Sequence, residues 1–107
     1  MALLDQNTRY VYLLRAEFSD REREDEWNRW YDEKHLPELL SVPGIVSATR
    51  YRQHGAEGRY LAAYEIEGPD VFQEPRYTEV TGWGEWAPYI AEWRRAVYEL
   101  VEEFGTS

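Results

Sequence analysis

Cysteine is absent from this 107-residue chain, which excludes a disulfide framework, a thiol nucleophile and a thiolate metal site. Lysine occurs once, at Lys34, and positive charge is scarce: 12 Lys+Arg stand against 21 Asp+Glu, a formal charge of −9. Binding a phosphate backbone or an anionic lipid surface needs clustered positive charge. Arg21 and Arg23 are instead interleaved with Glu22, Glu24, Asp25 and Glu26, so neither nucleic acid nor a membrane is an expected partner. No apolar run approaches the roughly 20 residues that span a bilayer. Residues 1–7 lack the basic and apolar regions of a secretory signal, so a cytoplasmic protein is expected. The two histidines, His35 and His54, show no His-x-His or His-Glu-x-x-His spacing, and no metal is expected. Gly-x-Gly-x-x-Gly, a phosphate-binding loop and Gly-x-Ser-x-Gly are missing too, which removes the usual signals of a dinucleotide, a nucleoside triphosphate and a serine hydrolase. No cofactor is expected.

Rings are what the chain has in excess. Aromatic residues make up 16% and hydrophobic residues 43%, enough for one packed domain over 1–107. Residues 8–18 read as a strand. A helix is expected from about 20 to 35, capped by Ser19 or Asp20, with acids at the positive end of its dipole. Pro37 disfavours α geometry at Leu36, which predicts a break there and a short further turn over Glu38-Leu39-Leu40. Residues 45–53 and 59–67 form two strands joined by a glycine-containing turn, a hairpin. An irregular helical region follows Gly68-Pro69, and a last strand is expected over 94–102.

The order β-α-β-β-α-β predicts a ferredoxin-like α+β fold, a four-stranded antiparallel sheet with its helices on one face. Tyr10, Tyr12 and Leu14 alternate with Val11, Leu13 and Arg15. Tyr51 alternates with Arg50 and Arg52, and Tyr60, Tyr64 and Ile66 with Leu61, Ala63 and Glu65. Burying an unpaired charge is costly. The tyrosine face is therefore assigned to the helices, and the face with Arg15, Arg50, Glu65 and Glu99 to a second subunit.

The richest stretch runs from Trp27 to Glu38. At about 100° per residue, Trp30 lies near −60° from Trp27, Tyr31 near +40° and His35 near +80°, so rings and imidazole share one side. His35 is the candidate general acid/base, since an imidazole gives and accepts protons near neutrality. It would equally close the helix by donating to a last-turn carbonyl. Trp27, Trp30 and Tyr31 are candidate pocket walls. Tyr12, Tyr51 and Tyr64 are candidates to donate to a developing enolate oxygen, or amphipathic core residues. Trp83 and Trp86, with Tyr89 and Trp93, would cap a pocket or staple a loop-rich segment. His54 is expected in an exposed turn.

The run Trp27-x-x-Trp30-Tyr31-Asp32-x-x-His35-Leu36-Pro37-Glu38, followed by Val42-Pro43-Gly44 and Arg50-Tyr51-Arg52, resembles the dimeric α/β-barrel superfamily, and within it the EthD-like group. Arg59-Tyr60-Leu61-Ala62-x-Tyr64-Glu65 and Arg95-x-Val97-Tyr98 fit the same pattern. The resemblance implies a homodimer whose sheets pack back to back, with a hydrophobic small molecule held between sheet and helices. That superfamily includes polyketide cyclases, muconolactone-type isomerases, cofactor-free quinol monooxygenases, haem-degrading enzymes and dehydratase-like proteins. Carried onto this chain, the resemblance reaches only His35 and its aromatic neighbours. The expected activity is a cofactor-independent lyase or isomerase acting by dehydration, cyclisation or double-bond shift on an aromatic or polyketide-like oxygenated substrate. Cofactor-free monooxygenation and non-catalytic binding of a hydrophobic metabolite are the alternatives.

Overall fold

Four strands alternate with helical segments in a computed structural model that describes residues 9–105. The strands are β1 (Tyr10–Phe18), β2 (Ile45–Arg52), β3 (Arg59–Ile66) and β4 (Ile90–Glu99). They pair antiparallel in the order β2-β3-β1-β4. This is the expected ferredoxin-like sheet, with β1 and β3 central. Thr8, the expected first strand residue, lies outside the described residues. No helix among the described residues is long and apolar enough to cross a membrane.

Between β1 and β2 runs one helical rod: α1 (Glu24–Trp30), a π segment (Tyr31–His35) and α2 (Leu36–Leu40). It starts later than expected. Asp20 accepts the Glu22 N–H at 2.9 Å, a local turn that competes with helix, and the acids Glu24, Asp25 and Glu26 then occupy the first helical turn. Nor does the rod break at Leu36, which keeps helical angles of φ −63° and ψ −47°. The Leu36 N–H instead reaches back to the Tyr31 carbonyl, a five-residue step. Pro37 has no N–H, and its ring crowds the carbonyl four residues earlier. The wider π segment absorbs that crowding within a continuous helix.

A second correction concerns β2. Its pairing with β3 slips between Ile45 and Ser47, so two residues of β2 face one of β3, as in a β-bulge. Side-chain parity therefore reverses after Val46. Arg50 sits opposite Ala62 and Tyr51 opposite Leu61, so Arg50 faces the helices and Tyr51 faces away, 48% exposed. Glu99, opposite Tyr10, is likewise on the helix side. For β1 and β3 the tyrosine face does lie under the helices: Tyr12, Tyr60 and Tyr64 are buried there.

After β3 come a 3-10 turn (Pro69–Gln73), α3 (Pro75–Val80) and a second 3-10 turn (Gly84–Tyr89). β4 begins four residues earlier than expected. It pairs with β1, yet nearly all of it is exposed on both faces, because the helices lie over β1, β2 and β3.

Candidate active site

Ring packing fills the layer between the rod and the sheet at its α1 end. Trp27 is fully buried, stacked on Phe18 at 4.7 Å and edge-on to Tyr60 at 5.2 Å. Trp86 packs against Phe18 and Tyr89 and takes the Arg23 guanidinium over its ring at 4.6 Å. These two candidates are buried in the core and are not part of the His35 cavity described below.

Arg50, brought inward by the bulge, anchors the middle. Its guanidinium donates to Asp32 Oδ1 and to Asn28 Oδ1, both at 2.8 Å, and lies 4.1 Å from the centre of the Tyr31 ring. Asn28 in turn donates to the Tyr60 hydroxyl at 3.0 Å, and Tyr60 donates to Glu24. Asn28 and Asp32 are four apart, hence on one helix face. That spacing is the one hint of an inward arginine that the sequence carries.

Further along the rod the layer opens. A cavity of about 80 Å3 is lined by Tyr12, Leu14, His35, Leu39, Ile45, Tyr64, Tyr77, Thr81, Gly82, Trp83, Trp93 and Arg95. Four sequence candidates meet at its wall: Tyr12, His35, Tyr64 and Trp83. Trp93, expected to cap a pocket, completes it together with Tyr77 and Arg95, which were not among the expected site residues. Tyr77 follows Pro75 in α3, and Trp93 and Arg95 alternate on the helix side of β4. Locating β4 at 90–99 was needed to see that alternation.

His35 is 6% exposed. Trp30 stacks on it, 4.7 Å between centres and 14° from parallel, while Tyr31 meets it edge-on at 5.0 Å. Five residues of α-helix would set Trp30 and His35 about 140° apart. The π segment between them rotates the imidazole back beneath the indole, so Pro37 indirectly aims His35. Burial pushes the imidazole pKa down from 6.5 to about 4, with the Arg50 charge acting in the same direction. At pH 7 the ring is neutral, and one nitrogen carries a free lone pair.

The phenols are held in their protonated form. Tyr31 and Tyr64 share a hydrogen bond of 2.8 Å, and Tyr12 stacks on Tyr64 at 5.4 Å. Burial first, and neighbouring phenols second, raise the Tyr12 and Tyr64 pKa values well above the ordinary value. Such hydroxyls donate to an oxyanion without ionising themselves. Tyr31 stands behind Tyr64, Trp30 backs His35, and Tyr51 is on the opposite face of the sheet, remote from this chamber.

Trp83 closes one side, 6.4 Å from His35 and 6.2 Å from Trp93. It stands between Gly82 at φ +103° and Gly84 at φ +57°, backbone angles that residues with a Cβ rarely adopt.

No family model matches the sequence, and no curated protein does. Solved structures with the same fold are plentiful. A cofactor-independent oxygenase from Streptomyces nogalater superposes with a TM-score of 0.71 at 11% identity, covering 92% of this chain and 99% of its own. A dimeric ferredoxin-like protein from an uncultured marine organism gives 0.69 at 17% identity, covering 94% of each chain. An antibiotic biosynthesis monooxygenase gives 0.66 at 10% identity, covering 86% of this chain and 99% of its own. At such identities the likeness establishes the fold alone: this chain is a ferredoxin-like α+β protein, built on the scaffold that these oxygenases also use.

Proposed function

We propose that this protein is a cofactor-independent enzyme acting on an oxygenated aromatic small molecule in the His35 cavity, with His35 as proton acceptor. The observation that carries the reading is a buried, neutral imidazole at the wall of a chamber lined mainly by phenols, indoles and aliphatic side chains, with Arg95 at its β4 side. Of the reaction classes open to such a site, the structural neighbours favour oxygenation over the lyase or isomerase chemistry expected from the sequence.

In this reading His35 takes the hydroxyl proton of a bound phenol. The phenolate then gives one electron to dioxygen, and the ring radical and superoxide combine into a carbon–oxygen bond. His35 returns its proton to the peroxide. Loss of water, using the hydrogen on the attacked carbon, leaves a carbonyl there. One dioxygen is consumed and one water released per ring oxidised to a quinone. Tyr12 and Tyr64 would stabilise the phenolate oxygen by donation, and stacking against Trp83 and Trp93 would orient the ring.

The chamber is smaller than the roughly 150 Å3 cavity that accepts benzene in a designed case. Productive binding therefore needs Trp83 to swing on its flanking glycines. A homodimer belongs to the same reading. The outer face of the sheet leaves Val46, Tyr51 and Tyr98 about half exposed, and a second copy would cover them. The EthD-like affinity also belongs here, resting on the Trp27–His35 run.

Oxygen uptake with a panel of phenols and hydroquinones, in the wild type and His35→Ala, tests the proposal. One dioxygen per ring, lost in the variant, is the expected result. Product without oxygen uptake would transfer the site to the lyase or isomerase class. Unchanged turnover in His35→Ala would remove the acid/base role.

A further inference from the structure

We propose that the substrate of this chamber carries a carboxylate, and that Arg95 is the group that receives it. The inference rests on the reading of the cavity as a substrate site and adds the substrate's charge to it. In a chain with nearly twice as many acids as bases, the cavity wall includes one cation and no Asp or Glu. That cation is Arg95. It stands on the helix side of β4, opposite Leu14 and flanked on its own strand by Trp93 and Val97, with its side chain open to solvent at the cavity rim.

Arg95, like Arg9, Arg15, Arg29 and Arg52, has no ion pair among the described residues, and of these it alone is on the wall of this cavity. A phenol meets its guanidinium instead: it donates to the Tyr77 hydroxyl at 3.4 Å, with Tyr12 beside it on the cavity wall. A neutral acceptor leaves the charge of the fork uncancelled, and the remaining N–H groups are free for a bidentate anion. Arg50, the other arginine facing the helices near the cavity, is already committed to Asp32 and Asn28. An aromatic acid would thus place its ring against the displaced Trp83, its carboxylate on Arg95 and its hydroxyl toward His35.

The test uses two probes of the same shape, salicylate and salicylamide, titrated into the full chain and followed by tryptophan fluorescence or calorimetry. Wild type is expected to bind the acid at least about tenfold tighter than the amide. In Arg95→Met that preference disappears while the amide affinity stays within about twofold, which also reports that the variant is folded. Equal affinities in wild type, no binding of either probe, or a preference that survives Arg95→Met would overturn the assignment. His35→Ala separates this inference from the reaction. Preference retained with oxygen uptake intact means the anion receptor stands and the proton-transfer reading fails. Preference absent with uptake still dependent on His35 means the reverse.

Discussion

Phe18, Trp27, Tyr60 and Trp86 at one end of the helix–sheet layer, and Tyr12, His35, Tyr64 and Trp83 at the other, are built from the same kinds of residue with opposite results. At the first end the rings interlock, and the Trp27 and Trp86 indole N–H groups are buried without an acceptor among the described residues. At the second end the rings frame a cavity. The difference lies in the backbone. α1 packs Trp27 onto the first end, whereas β4 stays largely exposed and Trp83 hangs between two glycines at positive φ. Aromatic content therefore does not mark a site by itself. What marks it is an aromatic cluster whose covering element is interrupted.

Substituting one tryptophan from each end separates the two regions by the largest margin. Trp27→Ala removes a fully buried indole and is expected to cost about 3–5 kcal/mol in urea unfolding. Trp83→Ala, at a half-buried position, is expected to cost about 1 kcal/mol while changing probe affinity severalfold. Equal stability losses would mean that the two ends are packed alike.

The next largest effect is a pH dependence. The His35 pKa is lowered on folding from 6.5 to about 4, so between those values the unfolded chain binds a proton that the folded chain does not. Stability from this group is complete above pH 6.5 and is lost as pH falls toward 4, by roughly 3 kcal/mol. His35→Phe should remove that slope from a series of denaturation curves across the window. An unchanged slope would assign the acid sensitivity to carboxylates instead.

Arg50→Met comes third, at about 2 kcal/mol. It leaves Asn28 without its donor and removes the cation from the Tyr31 face. With that charge gone the His35 pKa should also rise, which NMR titration would detect. Pro37→Ala is expected to alter stability least, by less than about 1 kcal/mol. By restoring an N–H it permits regular α geometry, which would turn His35 away from Trp30 and reduce turnover. Wild-type turnover in that variant would detach the π segment from the placement of the imidazole.

The strand order and the hairpin were legible because alternation and turn residues are local signals, and the side of the rod that carries Trp27, Tyr31 and His35 followed from helical period. Three features were not legible, each for a physical reason. The bulge at Val46 leaves no mark in composition, yet it exchanges the faces of Arg50 and Tyr51. The π segment overrides the break that Pro37 signals, because neighbouring packing keeps the rod continuous. The Tyr77 and Arg95 walls come from elements more than 40 residues beyond His35 in the sequence, and tertiary packing alone brings them to it.

Nitrogen-15 NMR of the imidazoles, across pH 3.5 to 8 with and without salicylate, reports whether His35 is the buried, neutral wall of a ligand chamber, and His54 is the one other histidine to assign. His35 is expected to stay neutral down to about pH 5, to titrate near 4, and to shift its resonance when the probe binds. A midpoint near 6.5 with no response to the probe would mean that the imidazole faces water rather than a closed chamber.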